Sequence, residues 1–282
     1  MGKELSKIAI IGLGLIGGSI TKALKAAGFK GEVVGIDSNL TSVAYGLQNG
    51  LITSGGTTIN NLVIGSDLVI VATHLRFFEE VVQDLLALDS SLLITDVGSV
   101  KKCEFIHELV ATKKLNFIGG HPLAGSEKTG IENGSAKLFE DKPYYIIPYK
   151  NKVSDTAKVL SFVELIGAKP IIMEEEKHDA LMSMTSHVPH LLAALQMNIL
   201  FEHQSEEIIE HIGEGFKDAT RIASSCPDLW SDIVLFNREK ILSQVEQLQS
   251  EMSKLTDLLQ QNDRNQVYNY FKQASNFRNQ LS

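Results

Sequence analysis

Cysteine is scarce in this 282-residue sequence, with Cys103 and Cys226 as the only two. A disulfide-rich secreted domain and a cysteine-based zinc site both need more thiols at closer spacing, so the sequence excludes these two classes. Two isolated thiols are typical of a reducing compartment, which predicts a cytoplasmic protein.

Basic residues and long apolar runs are also in short supply. Lysine and arginine number 26 against 34 aspartates and glutamates, which gives a formal net charge of −8. A nucleic-acid-binding face needs a surplus of basic residues, so we expect no nucleic-acid partner. An anionic ligand must instead be held by locally placed cations or backbone N–H groups. No apolar run reaches the roughly 18 residues that a membrane span needs, so we expect no membrane partner.

The first half of the sequence alternates short apolar runs with helical periodicity. Strands are predicted near residues 7–12, 32–37, 68–73, 92–97, 116–119, 144–148 and 169–173. Near-continuous apolar runs are typical of parallel strands that are covered on both faces. Residues 1–173 are therefore predicted to form an α/β, Rossmann-type, doubly wound domain that binds a dinucleotide.

From about residue 174 the pattern is helical, so residues 174–282 are predicted to form an all-α domain. Residues 238–261 carry apolar side chains at alternating spacings of four and three, which indicates a helix that packs along another helix. The members of this seam are Ile241, Val245, Leu248, Met252, Leu255 and Leu259. A last helix is predicted after the sequence NDRN. The seam fits an intramolecular core and a dimer interface equally well.

The stretch AIIGLGLIGGSI, residues 9–20, places Gly12, Gly14 and Gly17 between the first predicted strand and the first predicted helix. This spacing is typical of a dinucleotide-binding turn. The first glycine makes the tight turn, the second lets the backbone approach a pyrophosphate, and the third lets helix and strand pack closely. The N-terminus of the helix offers free N–H groups to the phosphates.

Asp37 ends the second predicted strand, where a carboxylate can accept hydrogen bonds from both hydroxyls of the adenosine ribose. It would repel a 2′-phosphate, so the predicted cofactor is NAD rather than NADP. Thr73 is predicted to line the cofactor crevice, although a helix cap explains it equally well. The predicted cofactor-binding residues are Gly12, Gly14, Ile16, Gly17, Asp37 and Thr73.

The stretch GGHPLAGSEKTG, residues 119–130, places His121 at the carboxyl end of a predicted strand, where open α/β sheets bind ligands. A neutral imidazole there can take a proton from a substrate hydroxyl, although a structural histidine is also common at a strand end. Glu127 lies in the same loop and could contact substrate or cap a turn. Ser99, in TDVGSVKK, is predicted to cap the next helix, and its hydroxyl could also point at a ligand.

Two stretches of the second half contain further candidates. In SHVPH, His187 and His190 lie three positions apart, but no third ligand has a convincing spacing, so we predict no metal site and one substrate-facing histidine of the two. In GEGFKDATRIASSCPDLWSDI, Arg221 could bind a carboxylate through a two-point fork or form a surface ion pair. Lys217 and Trp230 flank it.

Five stretches, in the same order, resemble the prephenate dehydrogenase family, which includes arogenate dehydrogenases: GLGLIGGSI, TDVGSVK, GGHPLAGSEKTG, SHVPHLLAAL and GFKDATRIASSCPDLWSDI. The resemblance implies NAD-dependent oxidative decarboxylation of prephenate to 4-hydroxyphenylpyruvate in tyrosine biosynthesis. It implies that His121 is the base, that Ser99 orients the substrate hydroxyl and that Arg221 binds a substrate carboxylate. The other residues that it places at the substrate are His190, Glu127, Lys217 and Trp230. It also implies that the helical domain, residues 174–282, binds substrate and forms a homodimer.

The resemblance further implies a stand-alone dehydrogenase, without a fused mutase or a regulatory domain. Three other functions remain open. An arogenate dehydrogenase differs by a contact to an amino group that the sequence does not locate. A β-hydroxyacid dehydrogenase would use a lysine base such as Lys177, but leaves the His121 and Arg221 stretches unexplained. An NAD-binding regulatory module would bind cofactor without turnover.

Overall fold

The computed structural model describes residues 5–112, 114–126, 128–149, 151–202 and 210–281. The chain forms two compact units, residues 1–237 and residues 238–282. The division predicted after residue 173 falls inside the first unit and stays a prediction.

The first unit is built on an eight-stranded sheet. Its strands are β1 (Lys7–Ile11), β2 (Glu32–Ile36), β3 (Ser54–Gly56), β4 (Leu68–Val71), β5 (Leu93–Asp96), β6 (Asn116–Pro122), β7 (Pro143–Pro148) and β8 (Lys169–Ile172). Their order across the sheet is β3-β2-β1-β4-β5-β6-β7-β8. Neighbouring strands are parallel except β6 and β7, which are antiparallel. The seven predicted strands are all present, and β3 is an additional one.

Helices cover both faces of this sheet. Successive side chains of a strand point to opposite faces, so Ile8 and Ile10 of β1 belong to one apolar cluster and Ala9 and Ile11 to another. The helices that follow in the chain are α1 (Leu15–Ala26), α2 (Leu40–Gln48), α3 (Phe78–Leu88), α4 (Glu104–Ala111) and α5 (Val153–Leu165). Helices α1, α2 and α5 contribute to the first cluster, and α3 and α4 to the second. This arrangement confirms the predicted doubly wound α/β fold.

The strand order fixes where a ligand can bind. From β1 the chain proceeds to β2 and β3 on one side, then returns to β4 on the other side of β1. The carboxyl ends of β1 and β4 therefore form a switch point, which is where open α/β sheets bind ligands.

After β8 the described residues contain only helices and turns, as predicted for the second half. The helices of the first unit continue with α6 (Glu175–Met182), α7 (Val188–Glu202), α8 (Glu214–Thr220) and α9 (Pro227–Phe236). One π-helical turn, Ser183–His187, joins α6 to α7. Single π turns inside helices occur frequently at functional sites.

The second unit consists of α10 (Arg238–Gln260) and α11 (Arg264–Arg278), which confirms the two helices predicted there. Asp263 begins α11 by accepting hydrogen bonds from the N–H groups of the next turn. Several large apolar side chains of this unit are more than half exposed, namely Met252, Leu259, Phe271 and Phe277. Among the described residues, no helix combines the length and apolarity that crossing a membrane requires.

Candidate active site

The three glycines of the turn after β1 differ in the space around them. Gly12 has a φ of +98°, which favours glycine, and a Cβ there would lie 2.5 Å from the carbonyl oxygen of Ala72. A Cβ on Gly17 would lie 1.9 Å from the carbonyl oxygen of Gly12, so this position lets α1 pack against the turn. A Cβ on Gly14 would meet no described atom within 4 Å. Gly14 therefore borders open space at the N-terminus of α1, where backbone N–H groups are free to bind an anion.

Asp37 follows β2 and connects it to the glycine turn. Its Oδ2 accepts the N–H of Leu13 at 2.6 Å, and its Oδ1 accepts the N–H of Asn39 at 2.8 Å. A carboxylate has about four lone-pair positions, so both oxygens keep the capacity to accept further hydrogen bonds. The carboxylate can thus hold the turn and accept ribose hydroxyls at the same time.

Thr73 follows β4 and borders the same turn, because its backbone nitrogen would lie 3.1 Å from a Cβ on Gly12. His74, rather than Thr73, occupies the cap position of the next 3₁₀ turn. The Oγ1 of Thr73 is buried and has no hydrogen-bond partner among the described residues. Buried hydroxyls are normally hydrogen-bonded, so this atom marks a position for a polar ligand. The open Gly14, the carboxylate of Asp37 and this hydroxyl together fit a dinucleotide cofactor.

His121 lies near the end of β6 and is 8% exposed. Burial, together with the nearby side chains of His178, Lys101 and His187, holds the pKa of His121 well below its ordinary value. The ring is therefore neutral at physiological pH, with a lone pair on one nitrogen. A neutral imidazole beside a ligand cleft is suited to act as a general base.

A buried ion pair fixes the backbone next to His121. The ammonium of Lys101 donates to Oδ2 of Asp96 and, at 2.6 Å, to the carbonyl oxygen of Gly120. The other carboxylate oxygen of Asp96 accepts the N–H of Gly120 at 2.9 Å. Both backbone groups of Gly120 are thereby bonded to the pair, which holds β6 directly before His121.

The segment between β5 and α4 departs from the prediction. Helix α4 begins at Glu104 with Cys103 in the cap position, so the prediction that Ser99 caps this helix is wrong. The carboxylate of Asp179, on α6, accepts the N–H of Lys101 at 2.9 Å and that of Lys102 at 2.8 Å. These bonds hold the segment out of helical pairing until residue 103. Ser99 lies half-buried within it, and the contact of its hydroxyl with a ligand stays a prediction.

Two residues of α6 that sequence reasoning missed continue from His121 into the protein. Nε2 of His178 lies 2.9 Å from Nδ1 of His121, and Nδ1 of His178 lies 2.7 Å from Oδ1 of Asp179. Helix α6 packs here because Met182 joins Tyr145 and Ile147 in an apolar cluster over β7. The sequence does contain a sign of their role. His178 and Asp179 precede Met182 by four and three positions, so all three residues share one side of the helix. Buried polar residues on such a face are rare unless they are paired.

Asn237 connects α6 to the π turn. Its Nδ2 donates to the carbonyl oxygen of Asp179 at 2.9 Å and lies 3.1 Å from Nδ1 of His187. Burial lowers the pKa of His187 to about 4, so its ring is neutral. Because Nδ1 accepts from Asn237, the proton resides on Nε2, which has no partner among the described residues. His187 thus presents a buried donor one turn before His190.

The structure brings three of the predicted substrate-binding residues together. His190, on α7, stacks on Trp230 of α9 with ring centroids 3.4 Å apart. Burial lowers the pKa of His190, and the charge of nearby Arg221 lowers it further, although a hydrogen bond with the carbonyl oxygen of Ser186 opposes them. The ring of Trp230 also lies 6.1 Å from that of His187, between centroids.

Arg76 anchors the helix that carries Trp230. Its guanidinium contacts the carboxylates of Asp228 at 3.0 Å and Asp232 at 3.2 Å, both on α9. Arg76 belongs to the 3₁₀ turn that follows β4. These two contacts therefore connect the helix that carries Trp230 to the segment that follows β4.

Two other candidates form exposed ion pairs on the helices that carry them. Lys217 forms an exposed ion pair with Glu214 at 2.7 Å, one turn earlier on α8. Lys177, the base in the β-hydroxyacid alternative, is also exposed and pairs with Glu174 at 3.0 Å. Glu127 lies outside the described residues. Within the described part of the chain, no three His, Cys, Asp or Glu side chains are grouped as a metal site would require.

Two family models match the chain in succession. The model of the prephenate dehydrogenase nucleotide-binding domain matches residues 20–172, and the model of the prephenate dehydrogenase dimerization domain matches residues 174–273. Together they account for most of the sequence.

Relatives and a solved structure agree with these models. The chain is 33% identical to a prephenate dehydrogenase of Bacillus subtilis, over 100% of this chain and 77% of that protein. It is 30% identical to a cyclohexadienyl dehydrogenase of Zymomonas mobilis, over 96% of this chain and 94% of that protein. The crystal structure of A. aeolicus prephenate dehydrogenase in complex with hydroxyphenyl propionate and NAD+ matches with a TM-score of 0.92 and 31% identity, covering 100% of both chains.

Proposed function

The chain belongs to the prephenate dehydrogenase family, and on that premise we propose that it catalyses the NAD-dependent oxidative decarboxylation of prephenate to 4-hydroxyphenylpyruvate. One observation carries the proposal: a neutral, buried His121 lies near the carboxyl end of β6, at the same end of the parallel strands as the glycine turn after β1. A base and a dinucleotide-binding turn at one end of the strands are what coupled removal of a proton and a hydride requires.

The residues at the switch point would hold NAD. The turn of Gly12, Gly14 and Gly17 would receive the pyrophosphate, with Ile16 in the first turn of α1 beside it. Asp37 would accept the ribose hydroxyls, and its negative charge favours NAD over NADP. The unpartnered hydroxyl of Thr73 would donate to a polar group of the cofactor. Bound NAD+ supplies the hydride acceptor.

His121 would accept the proton of the substrate hydroxyl. As that proton leaves, the carbon that carried the hydroxyl gives up its hydride, and the ring carboxylate departs as carbon dioxide. The ring becomes aromatic, and His121 returns the proton to the phenolate oxygen. Ser99 would orient the hydroxyl toward His121.

A second group of residues would bind the rest of the substrate. Prephenate carries two carboxylates, and Arg221 would pair with one of them, because an acidic protein needs a placed cation for an anionic substrate. The stacked rings of His190 and Trp230 would form a wall against the substrate. Lys217 and Glu127 stay predicted substrate contacts.

We also propose a cytoplasmic homodimer. The exposed apolar side chains of α10 and α11 support this state, because a second copy can cover an apolar surface that one chain leaves to solvent. The match to the dimerization-domain model points the same way. Both cysteines are free thiols, which fits a reducing compartment.

The test is a spectrophotometric assay of NAD reduction with prephenate and, separately, with arogenate. We expect turnover with prephenate. Turnover with arogenate alone would identify the amino analogue as the substrate, with the same residues proposed for the site. No reduction with either substrate, in a protein that still binds NAD, would refute the proposal.

Two variants test the proposed roles of His121 and Arg221. His121→Asn should lower kcat by about a hundredfold or more, with NAD affinity unchanged, because it removes the base but not the cofactor site. Arg221→Ala should mainly raise KM for prephenate, since the lost contact binds a carboxylate. Wild-type kinetics in both variants would show that these residues are not at the site.

A further inference from the structure

A buried series of three side chains runs from His121 into the protein. Nδ1 of His121 lies 2.9 Å from Nε2 of His178, and Nδ1 of His178 lies 2.7 Å from the carboxylate of Asp179. His178 is fully buried and Asp179 is 1% exposed, so water does not compete for these bonds. The other nitrogen of His121, Nε2, is left for the substrate.

The carboxylate of Asp179 sets the direction of these bonds. Burial opposes its charged form, but the hydrogen bonds from His178 and from two backbone N–H groups outweigh burial and hold the pKa of Asp179 below its ordinary value. An ionised carboxylate only accepts hydrogen bonds, so Nδ1 of His178 must carry a proton. In a neutral His178 ring, Nε2 is then an acceptor.

From this order we infer that His178 and Asp179 are positioning residues, which hold His121 as the tautomer with its proton on Nδ1 and a free lone pair on Nε2. Only this tautomer can take a proton from a substrate hydroxyl at Nε2. When Nε2 receives that proton, the positive charge on His121 is stabilised by the acceptor nitrogen of His178 and, behind it, by Asp179. The catalytic meaning of this assignment rests on the proposed function, whereas the tautomer does not.

A purely structural role for the two residues makes different predictions. Asp179 also binds the backbone N–H groups of Lys101 and Lys102, so removing its carboxylate disturbs the segment between β5 and α4 as well as the ring order. Substitutions at residue 178 separate the two roles, because they leave those backbone bonds in place.

The first measurement is histidine 15N NMR of the protein without substrate, which reports which ring nitrogen of each histidine is protonated. The His121 signal among the eight histidines is assigned by its loss in His121→Asn. We expect the proton on Nδ1 in the wild type. A proton on Nε2 of His121 would overturn the inference, and this result does not depend on any substrate.

Asp179→Asn should reverse the tautomer. With its oxygen at the Oδ2 position, the carboxamide still accepts from Lys102 at 2.8 Å and, at the longer distance of 3.2 Å, from Lys101. Its amide nitrogen then takes the Oδ1 position and faces His178, and the 2.9 Å bond from Lys101 to Oδ1 is lost. Nδ1 of His178 then becomes the acceptor, Nε2 the donor, and the proton of His121 moves to Nε2. An unchanged His121 tautomer in this variant would contradict the ordering role of Asp179.

The kinetic test compares His178→Phe with His178→Gln in the NAD-reduction assay. Phenylalanine keeps a ring but offers no acceptor, and should lower kcat about tenfold to a hundredfold with KM and NAD affinity near wild type. Glutamine can place its amide oxygen where Nε2 stood, and should restore much of kcat. A kcat for His178→Phe equal to that of the wild type or of His178→Gln would refute the inference, since a space-filling role does not distinguish acceptor from hydrocarbon.

His107→Gln is the matched control. His107 is half exposed and also hydrogen-bonds a carboxylate of α6, Glu175, at 2.6 Å, but it lies outside the series. It should leave kcat and the His121 tautomer unchanged. If the wild type reduces no NAD with prephenate, the proposed function fails, while the NMR measurement still decides the tautomer.

Discussion

Replacing Gly14 by alanine separates the cofactor site from the stability of the fold. Gly14 has φ −76° and ψ −153°, which an alanine adopts, and its Cβ would meet no described atom within 4 Å. Gly14 is a helix N-cap, where alanine costs at most about 1 kcal/mol relative to glycine. Alanine also lowers the conformational entropy of the unfolded chain, which offsets part of that cost. The apoprotein should therefore unfold near the wild-type temperature.

The same methyl group would occupy the space that a pyrophosphate needs. We expect NAD to bind at least about tenfold more weakly, which corresponds to 1.4 kcal/mol. At an NAD concentration of a hundred times the wild-type Kd, NAD should stabilise the wild type by about 2.7 kcal/mol and the variant by only about 1.4 kcal/mol. Isothermal titration with NAD and unfolding curves with and without NAD measure both quantities.

Gly213→Ala is a matched control for this experiment. Gly213 also caps a helix, with φ −76° and ψ 163°, and a Cβ there would likewise meet no described atom within 4 Å. It should share the small stability change and bind NAD normally. If Gly14→Ala binds NAD as tightly as Gly213→Ala, the pyrophosphate does not approach Gly14 and the interpretation of the turn is refuted.

Three further predictions concern charges. Asp37→Ser should narrow the preference for NAD over NADP in binding measurements, because the carboxylate that repels a 2′-phosphate is gone; an unaltered ratio would mean that Asp37 does not contact the ribose. Lys101→Met should lower the free energy of unfolding by about 3–5 kcal/mol because it leaves the buried carboxylate of Asp96 without its cation, and the double variant with Asp96→Asn should recover part of that loss in urea unfolding. His187 has a pKa of about 4 in the folded protein against 6.5 when unfolded, so the unfolded chain takes up a proton first as the pH falls. Stability should therefore decrease from pH 6.5 toward pH 4, by up to about 3 kcal/mol from this group, and His187→Phe should show a shallower decrease. Equal pH slopes in the two proteins would contradict this assignment.

Local sequence patterns predicted those parts of the fold that local chemistry determines. Apolar runs located seven strands, and glycine spacing located the turn after β1. Strand β3 was not predicted, because its sequence, Ser-Gly-Gly, has no apolar side chain. The strand lies at the edge of the sheet and pairs with β2 alone. The antiparallel direction of β7 could not be predicted either, because an apolar run has the same composition in either direction.

The unpredicted parts of the site depend on contacts between distant segments. Ser99 precedes a helical pattern and was a plausible cap, but the carboxylate of Asp179, far along the chain, holds the segment extended until Cys103. The contact between His121 and His178 likewise joins residues that are 57 positions apart. Spacing within a motif carries no information about such pairs. The sequence of α6 shows only that two polar residues share a face with Met182.

The structure also explains how an acidic chain can hold anionic ligands without a basic cleft. Lys101 is close enough to the proposed base to lower its pKa, but Asp96 neutralises it, so it fixes the backbone of β6 rather than attracting substrate. The cofactor phosphates would meet backbone N–H groups at α1, which is why the turn from Gly12 to Ser19 needs no lysine. The substrate carboxylates would still need a positive partner. Arg221, which is close enough to His190 to lower the pKa of His190, can supply that positive charge. On this proposal a few placed positive groups would hold both anionic ligands, in a chain whose net charge is −8.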